Sequence, residues 1–149
     1  VNTLSSLALT LDGMKRFAES DSLYERALRI DPAYHLVLNN YSYSLAERGL
    51  QLERALRMAL EAVKAEPENS SYLDTLGWIY FRLGRYSDAE IYVGKAIAKG
   101  DASGVVHEHL GDVYFKLGAK DKALEFWNKA LEKDANNKGL KEKIERGTL

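Results

Sequence analysis

One short phrase occurs twice in this chain. Residues 76–80 read Leu-Gly-Trp-Ile-Tyr, and residues 110–114, which lie 34 positions later, read Leu-Gly-Asp-Val-Tyr. The same offset relates Ala89 to Ala123 and Ala96 to Ala130 further downstream. Self-similarity at a fixed period of roughly 20–50 residues is typical of solenoids, in which each unit buries its apolar face against the next one.

The period divides the chain into four units and a tail. The units span residues 1–34, 35–69, 70–103 and 104–137, and the tail spans 138–149. The second unit has one extra residue, which we place near Gly49 because an exposed turn tolerates an insertion. We expect residues 1–149 to form a single domain.

Each unit is predicted to form two helices, so the predicted fold class is all-α. In the third unit, Leu73, Leu76 and Tyr80 recur at the three- and four-residue steps of one helical face. Gly84 is predicted to end this helix in the left-handed conformation that a glycine adopts without strain. A second run with the same period begins at Tyr86.

The period and the repeated Leu-Gly, Tyr, Gly, Tyr, Ala and Ala positions resemble the tetratricopeptide repeat (TPR) family, and the resemblance covers 137 of the 149 residues. It implies a right-handed α-α superhelix, a TPR solenoid of about four helix-turn-helix repeats with a short C-terminal capping helix. The first unit departs most, with Lys15 at the turn-glycine position and Ser20 at the first small-alanine position. Residues 45–49 and 72–78 are similar to the C-terminal parts of long bacterial TPR proteins. That similarity implies a bacterial source, with a cytoplasmic or an envelope-associated location both open.

Small residues are predicted where the two helices of a unit cross. Gly77 and Gly111 on first helices are expected to face Ala89 and Ala123 on second helices, because backbones approach closely only over short side chains. Replacing Gly77 by leucine is expected to destabilise the fold by about 1–3 kcal/mol through overpacking.

Composition excludes several classes of partner. A formal net charge of −1 gives no general attraction for nucleic acid or an anionic membrane. No apolar run reaches the roughly 18–20 residues of a membrane span, and the chain has no cysteine for a disulfide or a zinc site. We expect no cofactor and no direct membrane insertion.

Catalysis is not expected. His107 and His109 are two residues apart on a predicted helix, which places them on different faces, and His107 falls at a core aromatic position. His109 with Glu108 and Asp112 is the one grouping that resembles an acid–base or metal site. Such groups on a helix face are usually solvated, and no phosphate loop, serine elbow or His-Glu-x-x-His motif is present.

The resemblance implies that first helices line a groove that binds a protein or peptide. The predicted groove residues are Asn39, Asn40, Tyr43, Asp74, Trp78, Phe81, Arg82, Glu108, Asp112 and Phe115. Trp78 is the predicted hot spot, because tryptophan dominates binding energies and the fourth unit has Asp112 at its position. The alternative is that Trp78, Phe81 and Phe115 only pack between helices.

The charges of the predicted groove favour a basic ligand with an apolar anchor. The family's clamp for a chaperone carboxylate tail needs bases near Ser5, Ser71 and Thr75, and of this clamp only Asn40 is present. Asp74, Glu108 and Asp112 make the predicted groove acidic instead.

The two ends of the chain differ. Residues 138–146 are predicted to form a capping helix with Leu140 and Ile144 inward and Lys141 and Lys143 outward, as solenoids require a polar end. The N-terminal leucines at 4, 7, 9 and 11 leave an open apolar edge. We expect further repeats before Val1 or a homo-oligomer through this edge. The alternatives to a binding scaffold are therefore self-assembly and a docking arm of an enzyme encoded upstream.

Overall fold

The computed structural model describes all residues from Val1 to Leu149 and contains nine α-helices and no strand. The helices are α1 (Asn2–Gly13), α2 (Phe17–Ile30), α3 (His35–Glu47), α4 (Leu52–Ala65), α5 (Ser70–Arg82), α6 (Tyr86–Ala98), α7 (Gly104–Lys116), α8 (Lys120–Lys133) and α9 (Lys138–Arg146). The predicted all-α class of paired helices is confirmed.

The helices form two compact units, Val1–Pro67 and Glu68–Leu149. In the N-terminal unit α1 packs on α2, α2 on α3, and α3 on α4. In the C-terminal unit the same order of contacts runs from α5 to α9. Within each unit, every helix therefore packs on its sequence neighbours, which is how repeat proteins build a layered core.

One turn geometry ends the first helix of all four repeats. The backbone N–H five residues after a helical carbonyl donates to it: Arg16 to Leu11, Leu50 to Leu45, Arg85 to Tyr80 and Ala119 to Tyr114, all at 2.8–2.9 Å. This is the 6→1 bond of the Schellman motif, which needs a left-handed residue just before the donor. Glycine fills that position at 49, 84 and 118, and Lys15 fills it in the first repeat with φ = 59°.

Replacing Lys15 by glycine is expected to raise the free energy of unfolding by about 0.5–1 kcal/mol, because the left-handed conformation is strained for a side chain with a Cβ. Thermal unfolding followed by circular dichroism measures the gain. The reverse change at the equivalent position, Gly118→Lys, is the matched control and should destabilise. Equal stability of the Lys15→Gly variant and the parent would contradict the account.

The helix crossings are as close as predicted. A Cβ on Gly77 would lie 2.9 Å from the backbone nitrogen of Val93 and 3.3 Å from the carbonyl oxygen of Ala89. A Cβ on Gly111 would lie 2.3 Å from the Trp127 ring and 3.1 Å from the Ala123 oxygen. In the first repeat a hydrogen bond marks the same crossing, since the Ser20 hydroxyl donates to the Ala8 carbonyl at 2.8 Å.

Candidate functional site

The ten predicted groove residues all lie on first helices, and they differ in how much surface they present. Four are buried: Asn39, Asp74, Trp78 and Asp112. Arg82 alone is exposed. The remaining five are half-buried: Asn40, Tyr43, Phe81, Glu108 and Phe115. A ligand could therefore contact mainly the five half-buried residues and Arg82.

In the C-terminal unit, Trp78 lies in a stack of rings. Its indole is 4.7 Å from the Phe81 ring and 4.0 Å from the His109 ring, centroid to centroid, and both pairs are nearly parallel. Only 8% of Trp78 is exposed. The ring thus packs within its unit and presents a narrow strip of surface, so its predicted hot-spot role would combine contact with support of Phe81.

The buried carboxylate of Asp74 is paired with His109. The Nδ1 of His109 lies 3.0 and 3.1 Å from the two carboxylate oxygens, so Nδ1–H donates to them. The sequence places His109 beside Glu108 and Asp112, but its side chain pairs with the preceding first helix instead. His109 is therefore paired away from Glu108 and Asp112, and the three residues do not form a metal-binding group.

Glu108 and Asp112 are bridged by Lys143 of α9. The Lys143 ammonium lies 2.7 Å from Glu108 Oε2 and 2.9 Å from Asp112 Oδ1, and Trp127 Nε1–H donates to the same Asp112 oxygen at 3.0 Å. Burial raises the pKa of Asp112, against the opposing pull of Lys143 and Trp127. Burial acts to lower the pKa of Lys143, but Asp112 and Glu108 outweigh it and raise that pKa.

The capping helix is confirmed, with one correction. Leu140 is buried and Ile144 half-buried against the core that contains Trp127, as predicted. Lys143 is not on the outward face: its side chain is 15% exposed, and its ammonium lies 5.7 Å from the centre of the Trp127 ring. The helical period alone assigned it to solvent, and the two carboxylates draw it inward.

In the N-terminal unit, the buried amide of Asn39 donates through Nδ2 to the Asn40 side-chain oxygen at 3.2 Å. Its own Oδ1 is buried without a hydrogen-bond partner. A buried acceptor without a protein donor is uncommon.

A cavity of about 200 Å³ lies in the N-terminal unit, with walls from the ends of α1 and α3 and the start of α2. Its lining residues are Asp12, Gly13, Lys15, Phe17, Tyr43, Ser44, Glu47 and Arg48. Arg48 makes a two-pronged ion pair with Asp21 at 2.7 and 3.0 Å, and its guanidinium lies 4.4 Å from the centre of the Phe17 ring. Asp12 accepts a 3.0 Å hydrogen bond from the Ser44 hydroxyl and makes no ion pair.

Burial raises the pKa of Asp12, the nearby charges of Asp21 and Glu47 raise it further, and Ser44 and Arg48 only partly oppose this. A raised folded-state pKa means that the charged form is less stable in the folded protein than in the unfolded chain. The charge of Asp12 therefore lowers stability above its folded pKa, and this loss disappears as the pH falls through that pKa towards the unfolded value.

The Asp12→Asn variant is therefore expected to unfold at a higher temperature than the parent at pH 7, while the two converge near pH 4. Asparagine keeps an oxygen that can accept from Ser44. Thermal unfolding of both proteins at the two pH values measures the difference. A variant that is less stable than the parent at pH 7 would contradict the expected sign.

Three further features of the structure concern possible metal-ligand groups, the surroundings of His107, and helices long enough to span a membrane. No group of three or more His, Asp or Glu side chains is arranged to hold a metal ion. His107 is buried, with Nδ1 2.9 Å from the Ser103 carbonyl and its ring facing Phe126. None of the nine helices combines the length and the apolar character needed to cross a bilayer.

The N-terminal edge exposes an apolar side chain at a repeat position that is buried in later repeats. Leu7 is 48% exposed, whereas the equivalent Tyr41 and Leu110 are 2% and 3% exposed. Tyr41 is covered by Tyr24 of the preceding helix, ring centroids 5.1 Å apart. Between α1 and α2 lies a cavity of about 460 Å³ with walls from Leu7, Leu11 and Leu23.

Among known proteins, a TPR repeat-containing protein of Pseudomonas aeruginosa, PA4667, is 28% identical over 112 residues. The match covers 75% of this chain and 19% of that protein, so this chain spans about a fifth of its relative. A solved tetratricopeptide repeat protein from Parabacteroides merdae superposes with a TM-score of 0.81 at 14% identity, over 98% of this chain and 57% of the other.

A second solved structure is the first TPR of Spaghetti (RPAP3) bound to the HSP90 peptide SRMEEVD, with a TM-score of 0.68 at 21% identity. It covers 76% of this chain and 89% of its own. These likenesses show the TPR solenoid fold. The sequence model described as "Tetratricopeptide repeat" matches residues 10–141. The chain therefore belongs to the tetratricopeptide repeat family.

Proposed function

We propose that this chain is a non-catalytic module that binds a peptide or protein segment through the surfaces of its first helices. The TPR fold is a protein–protein interaction module, and TPR proteins are generally scaffolds without catalysis. The observation that carries the proposal is the pair of half-buried aromatic rings on the two first helices of the C-terminal unit, Phe81 and Phe115; Tyr43 is a half-buried ring on a first helix of the N-terminal unit. Rings held on a rigid scaffold supply contact area at a low cost in conformational entropy.

The proposed ligand is not an acidic chaperone tail such as the one bound by the RPAP3 domain. Positions 5, 71 and 75, where basic clamp residues would be needed, hold Ser, Ser and Thr. A ligand with at least one apolar anchor fits the half-buried rings better, and its anchor would displace water from them.

The test is a selection from a displayed random-peptide library against the purified chain, followed by affinity measurements on the selected peptides. Phe115→Ala and Arg82→Glu are expected to weaken binding about tenfold each, in line with the loss of a hot-spot contact. Ile91→Ser, at an exposed apolar residue of the second helix α6, is the matched control and should bind as the parent does. Binders that are indifferent to both groove variants would place the site elsewhere.

Trp78→Ala is a poor probe of contact, although Trp78 is the predicted hot spot. Removing a ring stacked between Phe81 and His109 leaves a void, which destabilises a core by about 3–5 kcal/mol. Trp78 fluorescence is the better use of this residue. A ligand that reaches the strip of exposed indole or the adjoining Phe81 ring should change the emission of Trp78.

Self-assembly through the N-terminal edge is the second candidate, and the exposure of Leu7 favours it. A position that is buried in other repeats and open in the first is suited to a helix of another repeat. Sedimentation velocity over a wide concentration range tests the idea, with Leu7→Glu to break the contact and the exposed Ile30→Glu as control. A parent protein that remains monomeric at the highest concentration would exclude it.

A further inference from the structure

The acidic residues predicted to attract a basic ligand already have side-chain partners in the C-terminal unit. His109 holds Asp74, and Lys143 holds both Glu108 and Asp112. An incoming lysine or arginine would have to displace one of these buried partners, which is costly because it leaves a charge without its counter-ion. The place for a ligand's cation must therefore be sought outside this network.

The N-terminal unit contains a carboxylate that, unlike these three, has no basic side chain bound to it. Asp12 makes no ion pair and takes only a hydroxyl hydrogen bond from Ser44. It lines the cavity of about 200 Å³ together with Tyr43, a ring type whose face can attract a cation.

The charges around the cavity favour a cationic over an anionic guest. Arg48 is already engaged by both oxygens of Asp21 and by the Phe17 ring, so it is not available to bind an anion. Lys15 is exposed and belongs to the turn, where its flexible stem can direct the ammonium to solvent. Asp12, with Glu47 as a neighbouring negative charge, provides the field inside the cavity.

We propose that this cavity receives the side-chain cation of a lysine or arginine in the peptide or protein ligand, with Asp12 as its counter-ion. The inference rests on the proposed function and names one subsite of it. Burial of the Asp12 carboxyl raises its pKa, so its charged form is disfavoured in the folded protein, and an incoming cation would relieve that unfavourable interaction.

The experiment is a double-mutant cycle on peptides selected from the same displayed library. Each selected peptide with a lysine or arginine is measured against the parent and against Asp12→Asn, and so is its analogue with norleucine in place of the basic residue. Glu19→Gln removes one negative charge from an exposed, Arg16-paired residue of the same unit and is the matched control. Thermal unfolding confirms that each variant is folded.

The expected result is that Asp12→Asn and the norleucine substitution each weaken binding about tenfold in the parent background, and that combining them adds no further loss. Glu19→Gln should leave affinity unchanged. Independent, additive losses would overturn the inference while leaving the proposed function intact, and so would selected peptides without any basic residue. A library that yields no binder at all would remove the proposed function and this subsite with it.

Discussion

Replacing Lys143 by methionine is expected to lower the free energy of unfolding by about 3 kcal/mol, because it leaves the buried Asp112 and the half-buried Glu108 without their cation. Methionine keeps most of the aliphatic stem and removes the ammonium that lies 5.7 Å from the centre of the Trp127 ring, so the loss reports mainly on charge. Denaturant unfolding followed by Trp127 and Trp78 fluorescence measures it. The pKa of Asp112, already raised by burial, should rise further in this variant.

Two comparisons make this prediction specific. Lys141→Met changes the same residue type on the same helix at an exposed position and should alter stability little. Combining Lys143→Met with Asp112→Asn should recover part of the loss, since the amide keeps an acceptor for Trp127 Nε1–H and no charge remains there. A Lys143→Met protein as stable as the Lys141→Met protein would show that the bridge contributes nothing.

Replacing Gly77 by alanine is expected to destabilise the C-terminal unit by about 1–3 kcal/mol, the range found for overpacked cores. The new methyl would lie 2.9 Å from a backbone nitrogen and 2.5 Å from a methyl of Val93, and α6 would have to move to admit it. The structure therefore sharpens the expectation stated above for leucine, since a single methyl group is already too large. Chemical denaturation measures the change.

Gly94 provides the matched control for Gly77. It lies in helix α6 of the same unit, and a Cβ there would meet nothing within 4 Å. Gly94→Ala should therefore stabilise the protein by about 0.5–1 kcal/mol through helix propensity alone. Opposite signs for the two glycine-to-alanine changes are the expected result, and destabilisation of equal size at both would argue against the crossing as the cause.

The turn at Lys15 shows how far sequence reasoning reaches. Comparison with Gly49, Gly84 and Gly118 identified this position as a departure from the repeat, and the structure shows that the lysine adopts the same left-handed conformation. The local hydrogen bonds of the turn fix the backbone conformation, so Lys15 adopts the same left-handed geometry as the glycines, although it is strained for a residue with a Cβ. Residue identity changed the energy of the turn and left its geometry in place.

The charged residues show where that reasoning ends. The sequence placed Lys143 on the outward face and grouped His109 with Glu108, because helical periodicity records only which residues share a face of one helix. The structure pairs Asp74 with His109 and Glu108 with Lys143, and both pairs are 35 positions apart. An acidic residue matched by a basic one at that offset was therefore a signal in the sequence that could have located both bridges.

The sequence by itself determined the repeat period, the helix pairs, the glycine turns and the small residues at each crossing. These features depend on residues within one repeat, where spacing along the chain translates directly into position. The tertiary structure alone decided which charges are neutralised and which remain available, such as Asp12, because those partners belong to different repeats. A long charged side chain can reach several possible partners in a neighbouring repeat, and packing and desolvation decide which partner it contacts.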